Sequence, residues 1–404
     1  MRFVSNMFRL PLRALSSCLI CLWVMSQNIS AQAQLPDTGE SVEQRQYSRT
    51  QDRLRQFEQE LERAPNGLDL QELAPKETVN RSGNCVQVHT IEIQGQSKYP
   101  ADTFDALTSA LQGQCLYIAD INNLLRAITN RYIQDGYVTS RAILSEQDLN
   151  DGALQIRIVE GRVEQIKAVE EAFSSRELAF AFPIRPNERL NLRDIEQGID
   201  QLSRLPSKNP TTDIEAGEGV GGSIILVENT PRGSPFRGSV SIDNSGQGST
   251  GETILSSTLS AENILNVNDL WSLSANTDLD GGEGAGAWGV NGFLSIPYGY
   301  FSTSFSGGYF AYESIVPGFV GDIDNDGTSW FANASLDWLI YRDKTRKLSL
   351  SSGLGLTDND NFVSDIRLLS SSFRLVTVSL GLDYQERLWG GLLSASGGLA
   401  LIHI

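Results

Sequence analysis

Residues 84–404 predict two small α+β modules followed by an antiparallel transmembrane β-barrel, incomplete within this sequence. Three observations carry the prediction. The order strand, helix, helix, strand, strand occurs twice between residues 84 and 233. From Arg237 on, helical periodicity is absent, and segment after segment alternates apolar with small or polar residues. The connections between those segments alternate between long and short, as outer loops and periplasmic turns do in outer-membrane barrels.

The N-terminus supplies the compartment. Arg2, Arg9 and Arg13 precede the apolar run "ALSSCLICLWVM", and Ala31-Gln32-Ala33 forms a small-x-small exit, so residues 1–33 read as a secretory signal peptide cut after Ala33. A membrane anchor is the alternative, but the run is too short to span a bilayer comfortably. Cys18 and Cys21 leave with the signal. Cys85 and Cys115 remain, and a lone pair in an exported chain is most simply one disulfide. The formal net charge of −17 argues against nucleic acid or an anionic membrane surface as partner. His89 and His403 are the only two histidines and lie far apart, so a metal set is not expected.

Residues 34–83 are polar, with "SVEQRQYSRTQDRLRQFEQELERAP" of helix-forming composition and Leu54, Phe57 and Leu61 on one stripe. Pro65-Asn66-Gly67 ends that segment. A helix and linker is one reading and plain disorder the other.

The first module, 84–162, opens with "CVQVHTIEIQG", read as one strand closed by Gly95. "YPADTFDALTSALQGQC" gives a short helix. Ile121, Leu124, Leu125, Ile128 and Tyr132 then recur on one helical face before Gly136. "VTSRAIL" and "ALQIRIVEGRVEQI" return as strands. The second module, 163–233, repeats the order, with Asn191 as N-cap of a helix whose face carries Leu192, Ile195, Ile199 and Leu202.

In the barrel part, 234–404, Val376, Val378, Leu380, Leu382 and Tyr384 face one way and Thr377, Ser379, Gly381 and Asp383 the other. A soluble β-sandwich would also alternate. The polar side is, however, almost all Ser, Gly, Asn and Asp, which suits a wet lumen, and the strands run to about ten residues, enough to cross a bilayer obliquely. About nine such segments follow Arg237, the last being "GGLLSASGGLALIHI". It finishes on Ile404 where a complete barrel usually has an aromatic, so further strands are expected beyond it.

No catalytic constellation is present: no G-x-S-x-G elbow, no H-E-x-x-H, no phosphate loop. "GGEGAG" (281–286) is a loop between strands. "DIDNDG" (322–327) offers Asp322, Asp324 and Asp326 in the first half of a calcium-loop pattern, but Asn333 stands at the twelfth position. A solvated acidic loop is the competing reading. No cofactor is expected.

"GQCLYIADINNLLRAITNRYIQDGYVTSRAIL", "QDLNDGALQIRIVEGRVEQI", "LNLRDIEQGIDQLSRLPS" and "SIDNSGQGSTGE" together resemble the two-partner secretion transporters of the haemolysin secretion/activation (ShlB/FhaC/HecB) family, over Cys85 to the end. The resemblance implies that the modules are POTRA domains. It implies a monomeric outer-membrane translocator that captures an unfolded, haemolysin- or adhesin-like β-helical exported partner in the periplasm. That client would be passed through a sixteen-stranded barrel in contact with outer-membrane lipid, the N-terminal helix acting as plug. It also places Cys85 and Cys115 at a disulfide found in some members. Strand addition would put the client beside Val138, Ser140 and Ala142, with Leu125 and Ile128 in the neighbouring groove; plain core is the alternative for the two helix residues. The family's Val-Arg-Gly-Tyr/Phe motif is missing, the Arg-Gly pairs here being Arg232-Gly233 and Arg237-Gly238. A barrel-assembly-type insertase and a fragment that only binds clients are the rival expectations.

Overall fold

The computed structural model describes residues 85–282, 284–318 and 321–403. The signal peptide and the N-terminal helix expected from the sequence lie outside the described residues.

In the first module, β1 (Val86–Val88) and β2 (Thr90–Gln94) occupy the segment read as one strand. The chain breaks at His89, where His89 N–H and Thr90 N–H both donate to Gly152 O, at 2.7 and 3.3 Å. A 3₁₀ turn (Ala101–Phe104) leads into α1 (Asp105–Ser109), followed by β3 (Gln114–Leu116) and α2 (Ile118–Gln134). β4 (Arg141–Leu144) and β5 (Ala153–Val159) close the module. β1 pairs with β3 alone, and the Cys85–Cys115 disulfide ties the entry of one to the other, with Cα atoms 5.3 Å apart. The main sheet runs β2-β5-β4, parallel then antiparallel. The apolar face of α2 (Ile121, Leu124, Ile128, Tyr132) packs on Ile91, Leu154, Ile156 and Ile158.

The second module repeats this plan. It comprises β6 (Arg162–Ala168), α3 (Ser175–Ala181), α4 (Leu192–Ser203), β7 (Pro210–Ala216) and β8 (Gly222–Asn229). Its sheet order, β6-β8-β7, again places a parallel pair beside an antiparallel one. A capping box starts α3: Glu177 N–H donates to Ser174 Oγ and Ser174 N–H to Glu177 Oε2. Asn191 caps α4 through its Oδ1, which accepts from Arg193 N–H at 2.9 Å.

Beyond it lies one antiparallel sheet. Its strands are β9 (Phe236–Asp243), β10 (Ile254–Glu262), β11 (Leu270–Asp278), β12 (Gly286–Tyr298), β13 (Phe301–Pro317), β14 (Asp322–Arg342), β15 (Arg346–Val363), β16 (Ile366–Arg367), β17 (Phe373–Leu388) and β18 (Gly391–His403). The two-residue β16 pairs only with β15. The other nine pair in chain order, and the sheet is open, with β9 and β18 as its edges. Inward-facing hydroxyls bond across strands, Ser304 to Ser335 at 2.6 Å and Ser329 to Asn359 at 2.6 Å. Outward lie Leu259, Leu273, Trp330, Leu380 and other exposed apolar side chains.

Two expectations are corrected here. Two of the four segments read as long outer loops, 312–328 and 357–372, are mostly strand: β13 and β14 keep pairing from Phe301↔Trp338 up to Pro317↔Asp322. Antiparallel pairing satisfies backbone groups whatever the side chains, so polar residues beyond the apolar band stay extended. For the same reason "DIDNDG" is not a tight turn. Asp322, Asp324 and Asp326 sit at alternate positions of β14, paired with Pro317, Ile315 and Glu313. An extended strand spreads these carboxylates instead of wrapping them round one ion, and no metal-holding group of His, Cys, Asp or Glu occurs among the described residues.

Candidate client path from the first module to the barrel

The five residues read as a client-binding edge and groove come apart in the folded chain. The strand is shorter than "VTSRAIL" suggested, and Val138 lies in the turn before it, packed against the core of the second module. Ser140 is 1% exposed, its Oγ accepting from Gly161 N–H at 3.0 Å. Ile128 is 0% exposed and belongs to the core, with Leu125 packed partly buried against it. Ala142 does stand at the sheet edge, but its N–H already donates to Thr129 Oγ1 on α2, at 3.0 Å. What β4 leaves open is its end, where Ile143 and Leu144 are exposed. The second module leaves the longer edge, the seven-residue β7, with Thr211, Asp213 and Glu215 exposed.

Sequence reasoning missed the residues that join the parts. Glu160, buried where β5 leads into β6, accepts from Ser97 N–H and Lys98 N–H at 2.7 Å each, from Ser97 Oγ and from Tyr132 Oη. Arg189 of the second module stands 3.7 Å away. Burial by itself would raise the Glu160 pKa, but the hydrogen bonds from Ser97, Lys98 and Tyr132 outweigh it and hold the carboxyl below its ordinary value. A depressed folded-state pKa contributes stability that is complete above the unfolded value, near pH ~4.3, and is lost as pH falls through the folded value. Acid titration of the two-module region, followed by tyrosine fluorescence, is therefore expected to show destabilisation below about pH 4 that Glu160→Gln flattens. An identical acid limb in the variant would assign the effect elsewhere.

The second module meets the barrel through α4. Glu196 and Asp200, one turn apart, receive Arg342 from the end of β14: Nε to Glu196 Oε2 at 3.3 Å and Nη1 to Asp200 Oδ2 at 2.6 Å. Nη1 also donates to Gln197 Oε1 at 3.0 Å. Arg193 and Lys347 complete the cluster, 2.5 Å from Glu196 and 2.8 Å from Asp200. Beside it, the tight turn between β12 and β13 inserts into the module. Gly299 N–H donates to Phe180 O, and Gly299 O accepts from Gln197 and Gln201. Its φ of +56° and the 3.2 Å from a would-be Cβ to Pro183 make glycine the residue that fits there.

A second contact set lies at α3. Glu177 binds Lys208 and accepts from Asn263 Nδ2, while its backbone oxygen accepts from Asn268 Nδ2. Burial would raise Glu177, but the hydrogen bonds and charge of Lys208 with those of Ser174 hold it low. Glu262, at the end of β10, accepts from Ser207 and pairs with Arg237 at 3.0 Å.

Above this joint, Gln197, Gln201 and Arg204 close the floor of a cavity of about 400 Å³ whose walls are barrel residues, among them Ser295, Ser302, Ser304 and Ser335. The Arg204 guanidinium donates to Ser295 Oγ, and burial pulls it down to about 10 against the opposing pull of Asp337. The hydroxyl, amide and charged groups of the lining can hydrogen-bond an extended polar chain, beside Phe293, Tyr300 and Leu339.

The profile of the family described as "Haemolysin secretion/activation protein ShlB/FhaC/HecB" matches residues 221–400. A ShlB-type POTRA profile matches 86–161, and a further POTRA profile matches 162–216. The outer membrane transporter CdiB of Dickeya dadantii is 34% identical over 376 residues, 93% of this chain and 66% of that protein. The hemolysin transporter protein ShlB of Serratia marcescens is 30% identical over 316 residues, 78% of this chain and 56% of that protein. The chain thus spans 66% and 56% of the lengths of these two curated relatives. Among solved structures, CdiB from Escherichia coli superposes with a TM-score of 0.79 at 31% identity, covering 92% of this chain and 68% of that one. No helix among the described residues is long and apolar enough to cross a membrane, which says nothing of crossing by strands. With two POTRA modules on the periplasmic side of an outer-membrane β-sheet, the chain belongs to the ShlB/FhaC/HecB family of haemolysin secretion/activation proteins.

Proposed function

We propose that this chain is a two-partner (type V) translocator, which captures an unfolded exported partner with its POTRA modules and passes it through the barrel to the cell surface without a catalytic step. The partner class is a haemolysin- or adhesin-like β-helical protein, and the translocator acts as a monomer. One observation carries the reading: α4 of the second module is built into the barrel mouth, and its Gln197, Gln201 and Arg204 line the same cavity as the lumen serines. A client held on the modules is thereby delivered to a polar lumen. Capture uses backbone pairing at the open end of β4 or along β7, which suits a client recognised before it folds. Nothing in the geometry favours lateral release of an insertase.

Surface exposure of the exported partner, measured by protease accessibility on intact cells, is expected to fall to background when the chain is deleted; unchanged exposure overturns the translocator reading. Leu144→Pro removes an N–H at the open end of β4 and is expected to reduce client pull-down at least several-fold. Full capture by that variant would leave β7 as the docking edge.

A further inference from the structure

The outward face of the sheet carries an apolar hollow of about 870 Å³ near its periplasmic end. Strand register sets Gly238, Leu259, Leu273, Gly292 and Gly307 side by side in one row, with Ala261, Trp271, Leu294 and Phe305 in the next. The three glycines make the depth. None has a positive φ, so no turn or bulge demands glycine at these positions. Glycine in a strand interior weakens the strand and often marks close approach of another group. A Cβ added at Gly292 would meet no heavy atom of the described residues within 4 Å, so none of them fills the space it leaves.

The level of the hollow in the membrane follows from Trp271. Its indole N–H donates to Asp269 Oδ2 at 2.6 Å, at the end of the β10–β11 turn, which holds the ring where outer-membrane strands carry their interfacial aromatics. Stacked Phe301 and Trp338, with ring centroids 5.7 Å apart, continue that girdle. The hollow lies just inside it and merges with the lipid-facing surface made by Leu259 and Leu273. Its floor at Gly292 and Gly307 is strand paired on both sides, and only Gly238 lies on the edge strand β9. A polypeptide docking there would carry unsatisfied backbone groups into hydrocarbon, whereas a hydrocarbon chain carries none.

We propose that this hollow is a lipid site, holding one acyl chain of a phospholipid from the periplasmic leaflet against Gly292 and Gly307, between the walls Leu259, Leu273, Leu294 and Phe305. The proposal rests on placement in the outer membrane and is independent of transport. Its volume falls in the range of small-ligand pockets, ~300–1,000 Å³.

The test is native mass spectrometry of the chain extracted from outer membranes into mild detergent and titrated with 1-palmitoyl-2-oleoyl-phosphatidylethanolamine. The wild-type chain is expected to retain one phospholipid. Gly292→Phe, which fills the hollow, is expected to lower occupancy at least tenfold at the same lipid concentration. Leu259→Ala, which removes a wall without adding bulk, is expected to lower it several-fold, and decides the matter if the filled variant does not fold. Equal occupancy in wild type and a folded variant overturns the proposal. So does a wild-type spectrum showing a second copy of the chain in place of lipid, with dimer lost in Gly292→Phe.

Discussion

Arg342→Ala is expected to release the second POTRA module from the barrel mouth. The guanidinium is 2% exposed and is shared by Glu196, Asp200 and Gln197, all on one face of α4. Removing it leaves Glu196, itself 3% exposed, with Arg193, and Asp200 with Lys347, each short of one partner in a poorly hydrated joint. Breaking a buried pair from one side costs about 3–5 kcal/mol, far more than an exposed ion pair is worth, because the surviving charge keeps its desolvation penalty. The expected result is faster proteolysis of the 230–235 segment between module and barrel in membranes, with the barrel's own resistance unchanged. Combining Asp200→Asn with Arg342→Ala closes a double-mutant cycle, and the non-additivity of the two changes measures their coupling. If Arg342→Ala leaves cleavage at the wild-type rate, the cluster is not what holds the joint, and the contacts of Glu177 and Glu262 would have to carry it.

Loss of the Cys85–Cys115 disulfide has the second large effect. The bridge spans 30 positions and fastens the entry of β1 to β3, an isolated two-stranded ribbon outside the main sheet. A two-stranded ribbon is marginal alone, and closing a loop of this length stabilises by roughly 3–4 kcal/mol in the chain-entropy model. The double change Cys85→Ser, Cys115→Ser is expected to lower the denaturant midpoint of the first module by that free energy while leaving the second module untouched. Reduction of the wild-type chain should reproduce the shift. An unchanged midpoint would mean that the core beneath β1, led by Val88, Phe104 and Leu116, suffices without the bridge.

The helix and strand types were legible because each is written in a short repeat. Ile121, Leu124, Ile128 and Tyr132 mark one face of α2 whatever that face packs against. Val376, Val378 and Leu380 opposite Thr377, Ser379 and Gly381 mark a strand between lipid and lumen in the same way. Boundaries were less legible. "CVQVHTIEIQG" carries one pattern, yet Gly152 draws both His89 and Thr90 to its carbonyl and splits the strand between two sheets. "VTSRAIL" alternates like a strand through Val138, but Val138 finds its apolar neighbours in the second module and Ser140 spends its hydroxyl on Gly161. The acidic stretch 322–326 reads as a turn, and pairing with β13 keeps it extended.

By itself, the sequence determined the two β-α-α-β-β modules, the barrel strands and the family, because periodicity and motif spacing are local properties set by what each face of an element must meet. The tertiary structure alone decided how the parts are joined. Glu160 meets Ser97 from 63 positions away, and Arg342 meets Glu196 from 146. A buried charge is tolerated only where opposite charge and hydrogen-bond donors converge on it. That convergence is a property of folded space, and no spacing along the chain announces it.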